Sequence, residues 1–356
     1  MPTLAPIQVL HHAIVDMTMG GAGWSDEDGE TPPGFMRPIA GGRIYVHVSP
    51  EATAEFSAST LPLLWKVARS ISWPTLIVAQ ALLAQWATLT TSRDQAVTIS
   101  LDRILDYRGL KRIRRAGEPS GWHHGHRTKD RMVVAHQISI LGQLFFSAYN
   151  LRAYPDRCRE KSIPRLTFHN TQFIVVTDTW GQLGLMPGET KKPYPTHIRY
   201  IPGAWMEEFA KAGLTQFGRF LSRNRSYDPY RQEWELAMSA WLTLEVFPNN
   251  AGGGRVIHRA IETILHSIGQ RVDSRHPGRT RHRFELMMES MVADGYLSEW
   301  SYVADNTYSD RTWLPSWLKA KVSFRPSKSY DEYYSRRNPR RRSKQTPKNR
   351  RTDASS

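Results

Sequence analysis

The stretch that decides the fold is "AVTISLDRILDYRG", residues 96–109, in which a β-branched segment runs directly into a short helical one. Val97, Thr98 and Ile99 favour a strand because branched side chains suit an extended backbone. Ser100 is a good N-cap for a helix over the following residues, and Gly109 can end that helix in the left-handed conformation. The stretch therefore predicts a short strand followed at once by a short helix.

The segments on either side extend this pair into a recognisable order. Before it, residues 42–48 alternate like a strand, and residues 74–92 predict a helix with Pro74 in its first turn. After it, residues 128–150 predict a long amphipathic helix, and residues 164–178 and 195–205 predict two strands. Helix, strand, helix, helix, strand, loop, strand is the order of a winged helix, a helix-turn-helix followed by a β-hairpin.

The second half of the chain follows the same course. Residues 230–247 predict a helix, residues 256–269 a short helix, residues 276–295 a helix with a Phe and Met core face, and residues 296–324 a Trp-rich hairpin. "ILDYRGLKR" followed by "HRTKDRMVVAHQISILGQL" corresponds to "ILHSIGQRV" followed by "GRTRHRFELMMESMVADGYL". We interpret this correspondence as an internal duplication of architecture.

These patterns predict an α+β fold with two tandem winged-helix domains. We expect a mobile N-terminal arm at 1–41, the first winged-helix domain at 42–205 and the second at 206–325. Residues 326–356 are expected to form a disordered basic tail, because "SRRNPRRRSKQTPKNRR" has no apolar residue and contains two prolines.

The composition limits the classes of protein to which this chain can belong. With 40% hydrophobic residues and 12 Trp, most of the chain can fold on a core. The single cysteine, Cys158, excludes an intramolecular disulfide and a multi-cysteine zinc site. No secretory signal is expected at the N-terminus, and the longest apolar stretch, at 75–89, is too short to span a bilayer. We expect a cytoplasmic bacterial protein, associated with the nucleoid or a plasmid, that has no membrane partner.

The positive charge is concentrated in two places. The formal net charge is +15, and residues 319–356 hold 13 basic and three acidic side chains. Residues 103–131 hold nine basic and three acidic side chains, so the remainder of the chain is close to neutral. This placement is typical of a protein that binds a polyanion.

The basic residues around the second long helix of each half are the candidate DNA contacts. In a helix-turn-helix the first turn of this recognition helix faces base edges, while flanking cations contact phosphates. Arginine pairs with guanine through two parallel hydrogen bonds. A solvated helix face explains any single member equally well, but two equivalent clusters favour binding. The candidates are Arg112, Arg114, Arg115, Arg127, Lys129, Arg131, Lys191, Lys192, Arg275, Arg279, Arg281 and Arg283.

The histidines at 123, 124 and 126 permit an alternative interpretation. A His-x-His pair, with a tyrosine such as Tyr227 or Tyr230, would suit a metal-dependent DNA-nicking replication nuclease. The pair lies in turn-forming sequence without supporting carboxylates, so we favour a phosphate-binding loop and no metal. The sequence contains no phosphate-binding glycine loop and no Ser/His/Asp signature. We therefore expect no catalytic residue and no cofactor.

The quoted pattern also resembles a known family. Two tandem winged helices, a strand running into "IRYIPGAW", the short helix "LDRILDYRGLKR" and the closing "DGYLSEWSY" resemble the replication initiator proteins of bacterial plasmids and mobile elements. The resemblance implies binding of double-stranded DNA at repeated origin sites, with a homodimer and host replication proteins as further partners. A transcriptional regulator of the same fold is the alternative. The basic tail and the long N-terminal arm depart from the family.

Overall fold

The computed structural model describes residues 5–21, 23–24, 32–39, 42–48, 60–90, 95–110, 112, 125–152, 165–182, 194–207, 227–250, 255–303 and 313–336. Helices and antiparallel sheets alternate through these residues, which confirms the α+β class. The chain divides into two compact units, Met1–Ala240 with His266–Arg271 and Trp241–Leu265 with Val272–Ser356. The predicted domain boundary after residue 205 lies within the first of these units.

Before residue 233, the first unit has five helices and seven strands whose bounds lie within the described residues. The helices are α1 (Ala5–Thr18), α2 (Leu61–Ser70), α3 (Trp73–Leu89), α4 (Leu101–Tyr107) and α5 (Thr128–Gly142). The strands are β1 (Gly34–Ile39), β2 (Gly42–His47), β3 (Val97–Ser100), β4 (Phe145–Arg152), β5 (Arg165–Gln172), β6 (Ile174–Gln182) and β7 (Tyr194–Pro202). A further helix, α6 (Glu233–Trp241), lies where this unit ends.

The stretch 96–109 forms the predicted strand and helix. The Ser100 hydroxyl accepts a hydrogen bond from the backbone N–H of Arg103 at 3.2 Å, which caps helix α4. Gly109 follows the helix with φ of +72°, the left-handed conformation that glycine adopts without a steric penalty. Local signals therefore determine both ends of this element.

Helices α3, α4 and α5 pack with a three-stranded sheet in which β7 lies between β3 and β6. The central strand contributes Tyr200, whose buried hydroxyl donates a hydrogen bond to the Leu82 carbonyl at 2.7 Å. Beyond β7, the Trp205 indole donates to the Phe173 carbonyl at 2.9 Å. Gly203 is required there because a Cβ would collide with the Gln172 carbonyl. The quoted "IRYIPGAW" thus holds the end of this sheet against the core.

A second sheet, with strand order β1-β2-β4-β5, belongs to the same unit. The predicted helix over residues 128–150 is wrong in its last part, because helix α5 ends at Gly142 and Phe145–Arg152 is strand β4. A single strand is also predicted at 164–178, where β5 and β6 meet at Phe173. Phe146 and Phe173 are fully buried, and pairing with β2 and β5 places β4 in the sheet.

The N-terminal residues differ from the predicted mobile arm. Helix α1 buries an apolar face that includes Ile7, Leu10 and Ile14, and β1 pairs with β2. Burial of these side chains stabilises the helix in the fold. Within the acidic, Gly- and Pro-containing segment 24–34 that suggested an arm, residues 25–31 lie outside the described residues.

The second unit repeats the strand, helix, helix order of β3, α4 and α5 and the three-stranded sheet of the first. After α6, a π-helical turn (Leu242–Val246) leads into α7 (Phe247–Asn250). The following elements are β8 (Ile257–Ala260), α8 (Ile261–Ser267), α9 (Pro277–Ala293), β9 (Leu297–Tyr302), α10 (Trp313–Lys319), β10 (Lys321–Pro326) and α11 (Lys328–Arg336). The sheet order is β8-β10-β9, the counterpart of β3-β7-β6.

Three predictions for this half need correction. The segment 256–269 begins with strand β8 before its helix, and helix α10 interrupts the predicted hairpin. The tail is not disordered from residue 326, because Lys328–Arg336 is helical and Tyr330 is fully buried against Phe247 and Tyr296. The aromatic ring of Tyr330 supplies the apolar surface that holds this helix. Residues 337–356 lie outside the described residues.

Among the described helices, none is long and apolar enough on its own to cross a membrane; the bent pair Leu61–Ser70 and Trp73–Leu89 passes that test only when the two are taken together.

Candidate nucleic-acid interface

Helix α5 presents one buried and one exposed face. Val134, Ile138 and Leu141 are buried, and the helix packs on α3, α4 and β7. On the opposite side Lys129 and His136 are exposed, and Met132 exposes 54% of its surface. A spacing of three and four residues places these three side chains in one stripe. The helix can therefore offer a cation, an apolar group and an imidazole to a partner.

Arg131 is held inside the fold. Its Nε and Nη2 atoms donate to the two carboxylate oxygens of Asp102 at 2.5 and 2.6 Å, and the two side chains are only 17% and 22% exposed. Burial opposes ionisation of Asp102, but hydrogen bonding and charge from Arg131 hold the pKa of this carboxyl below its ordinary value. The bidentate pair ties the first turn of α5 to the first turn of α4. Arg131 therefore positions the helix.

Glycine is required beside this pair. A Cβ on Gly125 would collide with Nη2 of Arg131 and with Oδ2 of Asp102. The loop that precedes α5 thus passes directly over the ion pair. This contact fixes where the helix begins.

His126 and Arg112 share a second carboxylate on α4. The His126 side chain is 1% exposed, and its Nε2 lies 2.9 Å from Oδ1 of Asp106. Arg112 donates to both oxygens of Asp106, at 3.0 and 2.5 Å. The hydrogen bond from Arg112 is the largest cause that lowers the pKa of Asp106. His126 is thereby part of the packing between the loop and α4, while His123 and His124 lie outside the described residues.

Helix α9 is the counterpart of α5 in the second unit. Its buried face contains Phe284, Met287, Met288 and Met291, as the sequence spacing predicts. Before it, the Asp273 carboxylate accepts hydrogen bonds from the backbone N–H groups of two residues at 2.9 and 3.1 Å; these are Arg275 and His276.

The exposed stripe of α9 contains Arg279, His282 and Leu286, the last with 39% of its surface exposed. Arg283 is half-buried beside them. The stripe is parallel in composition to that of α5, since each combines a first-turn cation with an apolar side chain and a histidine. Both stripes lie opposite a buried apolar face.

Arg281 is anchored, like Arg131. Its Nε donates to Glu285 at 2.9 Å, and its guanidinium carbon lies 5.9 Å from the centre of the Tyr302 ring. Tyr302, on β9, donates to Glu285 at 2.8 Å, and burial raises the pKa of Tyr302 to about 12. Arg281 thus connects α9 to the strand that follows it.

The two halves can be aligned by their cores, with Val134 matching Phe284. Arg131 then matches Arg281, and both are anchored by a carboxylate. Lys129 matches Arg279, and both are exposed. In each half, therefore, an exposed cation lies two residues before a cation that a carboxylate anchors.

The remaining candidates divide by exposure. Arg127 and Arg275 are exposed beside the first turns, and Arg112 is exposed but paired with Asp106. Arg114, Arg115, Lys191 and Lys192 lie outside the described residues.

The carboxylates that pair with some of these cations were not identified from the sequence. Asp102 and Asp106 are four residues apart on α4, and Arg281 and Glu285 are four apart on α9. This spacing places each pair on one helix face and could have indicated the second contact. Partners on different helices, such as Asp102 and Arg131, carry no comparable local signal.

No protein-family model and no curated protein matches this chain. Among solved structures, a crystal structure of RctB domains 2–3 is similar, with a TM-score of 0.45 and 11% identity over 84% of this chain and 92% of that chain. A selenomethionine derivative of RctB domains 2 and 3 has a TM-score of 0.39 and 10% identity over 88% of this chain and 98% of that chain.

Proposed function

We propose that this chain is a sequence-specific binder of double-stranded DNA that uses two winged helices and performs no catalysis. In the first half α3, β3, α4 and α5 are followed by β6 and β7, after the inserted strands β4 and β5. In the second half α6, α7, β8, α8 and α9 are followed by β9 and β10, with helix α10 between these two strands. Each three-stranded sheet places the last strand between the other two. In such a fold the second helix of the helix-turn-helix enters the major groove. Helices α5 and α9 occupy that position.

The observation that carries the proposal is the matched pair of exposed cations, Lys129 and Arg279. Each lies in the first turn of its helix, two residues before an arginine that a carboxylate holds in place. A recognition helix needs both properties, because a base-reading side chain must be accessible and its helix must be rigidly oriented. Met132 and Leu286 on the same stripes offer apolar contact to thymine methyl groups.

Within this class we propose replication initiation at repeated origin sites in a bacterial plasmid or mobile element. Two recognition helices in one chain suit a site with repeated sequence, and the quoted resemblance supports the same function. Host replication proteins and a second copy of the chain are the partners that this function entails.

The test begins by selecting a duplex from a random pool with the whole protein. Competition binding at fixed salt then compares the selected duplex with a scrambled one. The Lys129→Ala/Arg279→Ala variant should lose about tenfold or more of its affinity for the selected duplex and much less for the scrambled one. The matched control Lys66→Ala/Arg271→Ala also removes two exposed cations and should affect both duplexes slightly and alike. Equal losses on both duplexes in the first variant would refute base reading by these helices.

Footprinting on DNA from the same replicon tests the finer proposal. Protection of several copies of one sequence beside an origin is the expected result. Protection confined to a promoter would favour transcriptional regulation instead.

A further inference from the structure

The four-stranded sheet of the first unit is cationic. Strands β1, β2, β4 and β5 contain no Asp or Glu, and they contain four arginines, at positions 37, 43, 152 and 165. The sheet lies outside the winged-helix order, so the proposed duplex binding gives it no role. Its charge is complementary to a polyanion.

The two faces of this sheet differ. On the inner face Ile44, Val46 and Phe146 are fully buried. Because side chains alternate along a strand, Arg43 and Tyr45 of β2 and Tyr149 of β4 lie on the outer face. Arg43 pairs with Tyr149 across the strands, and Arg43 is exposed.

Aromatic rings lie next to one another on the outer face. The ring centres of Tyr45 and Tyr149 are 5.5 Å apart, and those of Tyr149 and His169 are 4.9 Å apart. His169 Nδ1 lies 3.2 Å from the Tyr149 hydroxyl, which fixes the orientation of the exposed tyrosine. Tyr149 is 37% exposed, and Met36, which pairs with Tyr45 from strand β1, is 40% exposed.

We propose that this outer face binds single-stranded nucleic acid by stacking bases on Tyr149 and Tyr45, with Arg43 contacting the phosphate backbone. The exposed face of a β-sheet can supply a platform for successive unpaired bases, and every base has a face that can stack on an aromatic ring. The bases of an intact duplex are already stacked on each other and are inaccessible to such a platform. The surface is therefore specific for strands that are unpaired, and it is distinct from helices α5 and α9.

The experiment measures fluorescence anisotropy of labelled oligo(dT) and oligo(rU), about 15 nucleotides long to exceed one stacking site, with the whole protein. Tyr45→Ala/Tyr149→Ala should weaken binding about tenfold or more, since each lost stacking contact typically reduces affinity at least several-fold. Tyr45→Phe/Tyr149→Phe retains both rings and should bind within about threefold of the unaltered protein. The oligonucleotide bound more tightly identifies DNA or RNA as the ligand.

Two controls separate stacking from simple charge attraction. An abasic oligonucleotide of equal length keeps its phosphates but has no bases to stack. It should therefore bind more weakly than oligo(dT), and with the same affinity to the Ala and Phe variants. Lys129→Ala/Arg279→Ala should leave oligo(dT) binding unchanged, and Tyr45→Ala/Tyr149→Ala should leave duplex binding unchanged. The proposals of duplex binding and of single-strand binding can therefore be refuted independently of each other.

The inference is overturned if a folded Ala variant, with unaltered circular dichroism, binds oligo(dT) and oligo(rU) as the unaltered protein does. It is also overturned if the Ala substitutions change self-association in sedimentation and leave oligonucleotide binding intact, because the face would then be a contact between copies of the chain.

Discussion

At the scale of single residues, a cation's partner decides its role. Arg131 and Arg281 belong to the same basic clusters as Lys129 and Arg279, but a carboxylate engages each of them. Charge alone cannot distinguish an anchoring arginine from a base-reading one. Removal of an anchoring arginine should therefore lower stability, whereas removal of an exposed cation should lower binding and leave stability almost unchanged.

Arg131→Ala should lower the free energy of unfolding by about 1–3 kcal/mol, because it leaves the half-buried Asp102 carboxylate without its bidentate donor. Lys129→Ala, two residues earlier on the exposed face, should change stability by less than about 0.5 kcal/mol. Urea unfolding measures both. A larger loss in the Lys129 variant would contradict the assigned roles. In the background of Asp102→Asn, the effect of removing Arg131 should shrink, as expected for two coupled partners.

His11 provides a prediction for acid stability. Burial, with a further contribution from Arg37, lowers the pKa of His11 to about 3, from an ordinary value of 6.5. Between these values the unfolded chain binds a proton that the folded chain excludes, so stability is lost as the pH falls below about 6.5. The loss from this group approaches about 1.4 kcal/mol per pH unit until the folded pKa is reached.

The measurement is urea unfolding of the unaltered protein and of His11→Leu at pH 7.5 and pH 5. The variant should show the smaller loss between the two pH values, because a leucine takes up no proton. His136→Leu is the matched control at an exposed histidine and should keep the full loss. A pH dependence identical in all three proteins would exclude His11 as a cause.

At the scale of elements, the sequence predicted what local chemistry determines. Ser100 and Gly109 mark the ends of α4, and the Met spacing gives the buried face of α9. Strand β4 could not be predicted in the same way, because its apolar run continues the α5 pattern and its identity depends on pairing with β2 and β5. The anchoring of Arg131 also depends on a residue 29 positions away. Contacts between distant segments therefore determine the features that local patterns could not predict, namely strand β4 and the anchoring of Arg131.

The start of helix α5 gives a prediction at this scale. Gly125→Ala should displace the loop from the Arg131–Asp102 pair and lower both stability and duplex affinity, because a Cβ has no space there. Gly142→Ala, at the other end of the same helix, meets open space and should be neutral or slightly stabilising. Thermal unfolding and duplex binding test the pair of variants. Equal behaviour of the two alanines would show that the loop can yield at Gly125.

At the scale of the whole molecule, the proposed function assigns different tasks to different groups of cations. Helices α5 and α9 contribute few exposed cations, whereas residues 337–356 contain eight basic side chains and one acidic one. A segment with this composition and without a hydrophobic core contacts phosphates in any sequence. Affinity and specificity should therefore be separable by truncation.

Deleting residues 337–356, after helix α11 and its buried Tyr330, should preserve the fold of the second unit, because the deletion removes none of the described packing. The truncated protein should bind all duplexes more weakly, and its affinity should depend less steeply on salt, since fewer counterions are released. Binding constants measured at several salt concentrations on selected and scrambled duplexes give both slopes. The ratio of the two affinities should remain as in the whole chain, because Lys129 and Arg279 are retained. A fall in that ratio would mean that residues 337–356 themselves contribute to sequence specificity. It would contradict the proposal that the helices provide specificity and the tail provides only general affinity.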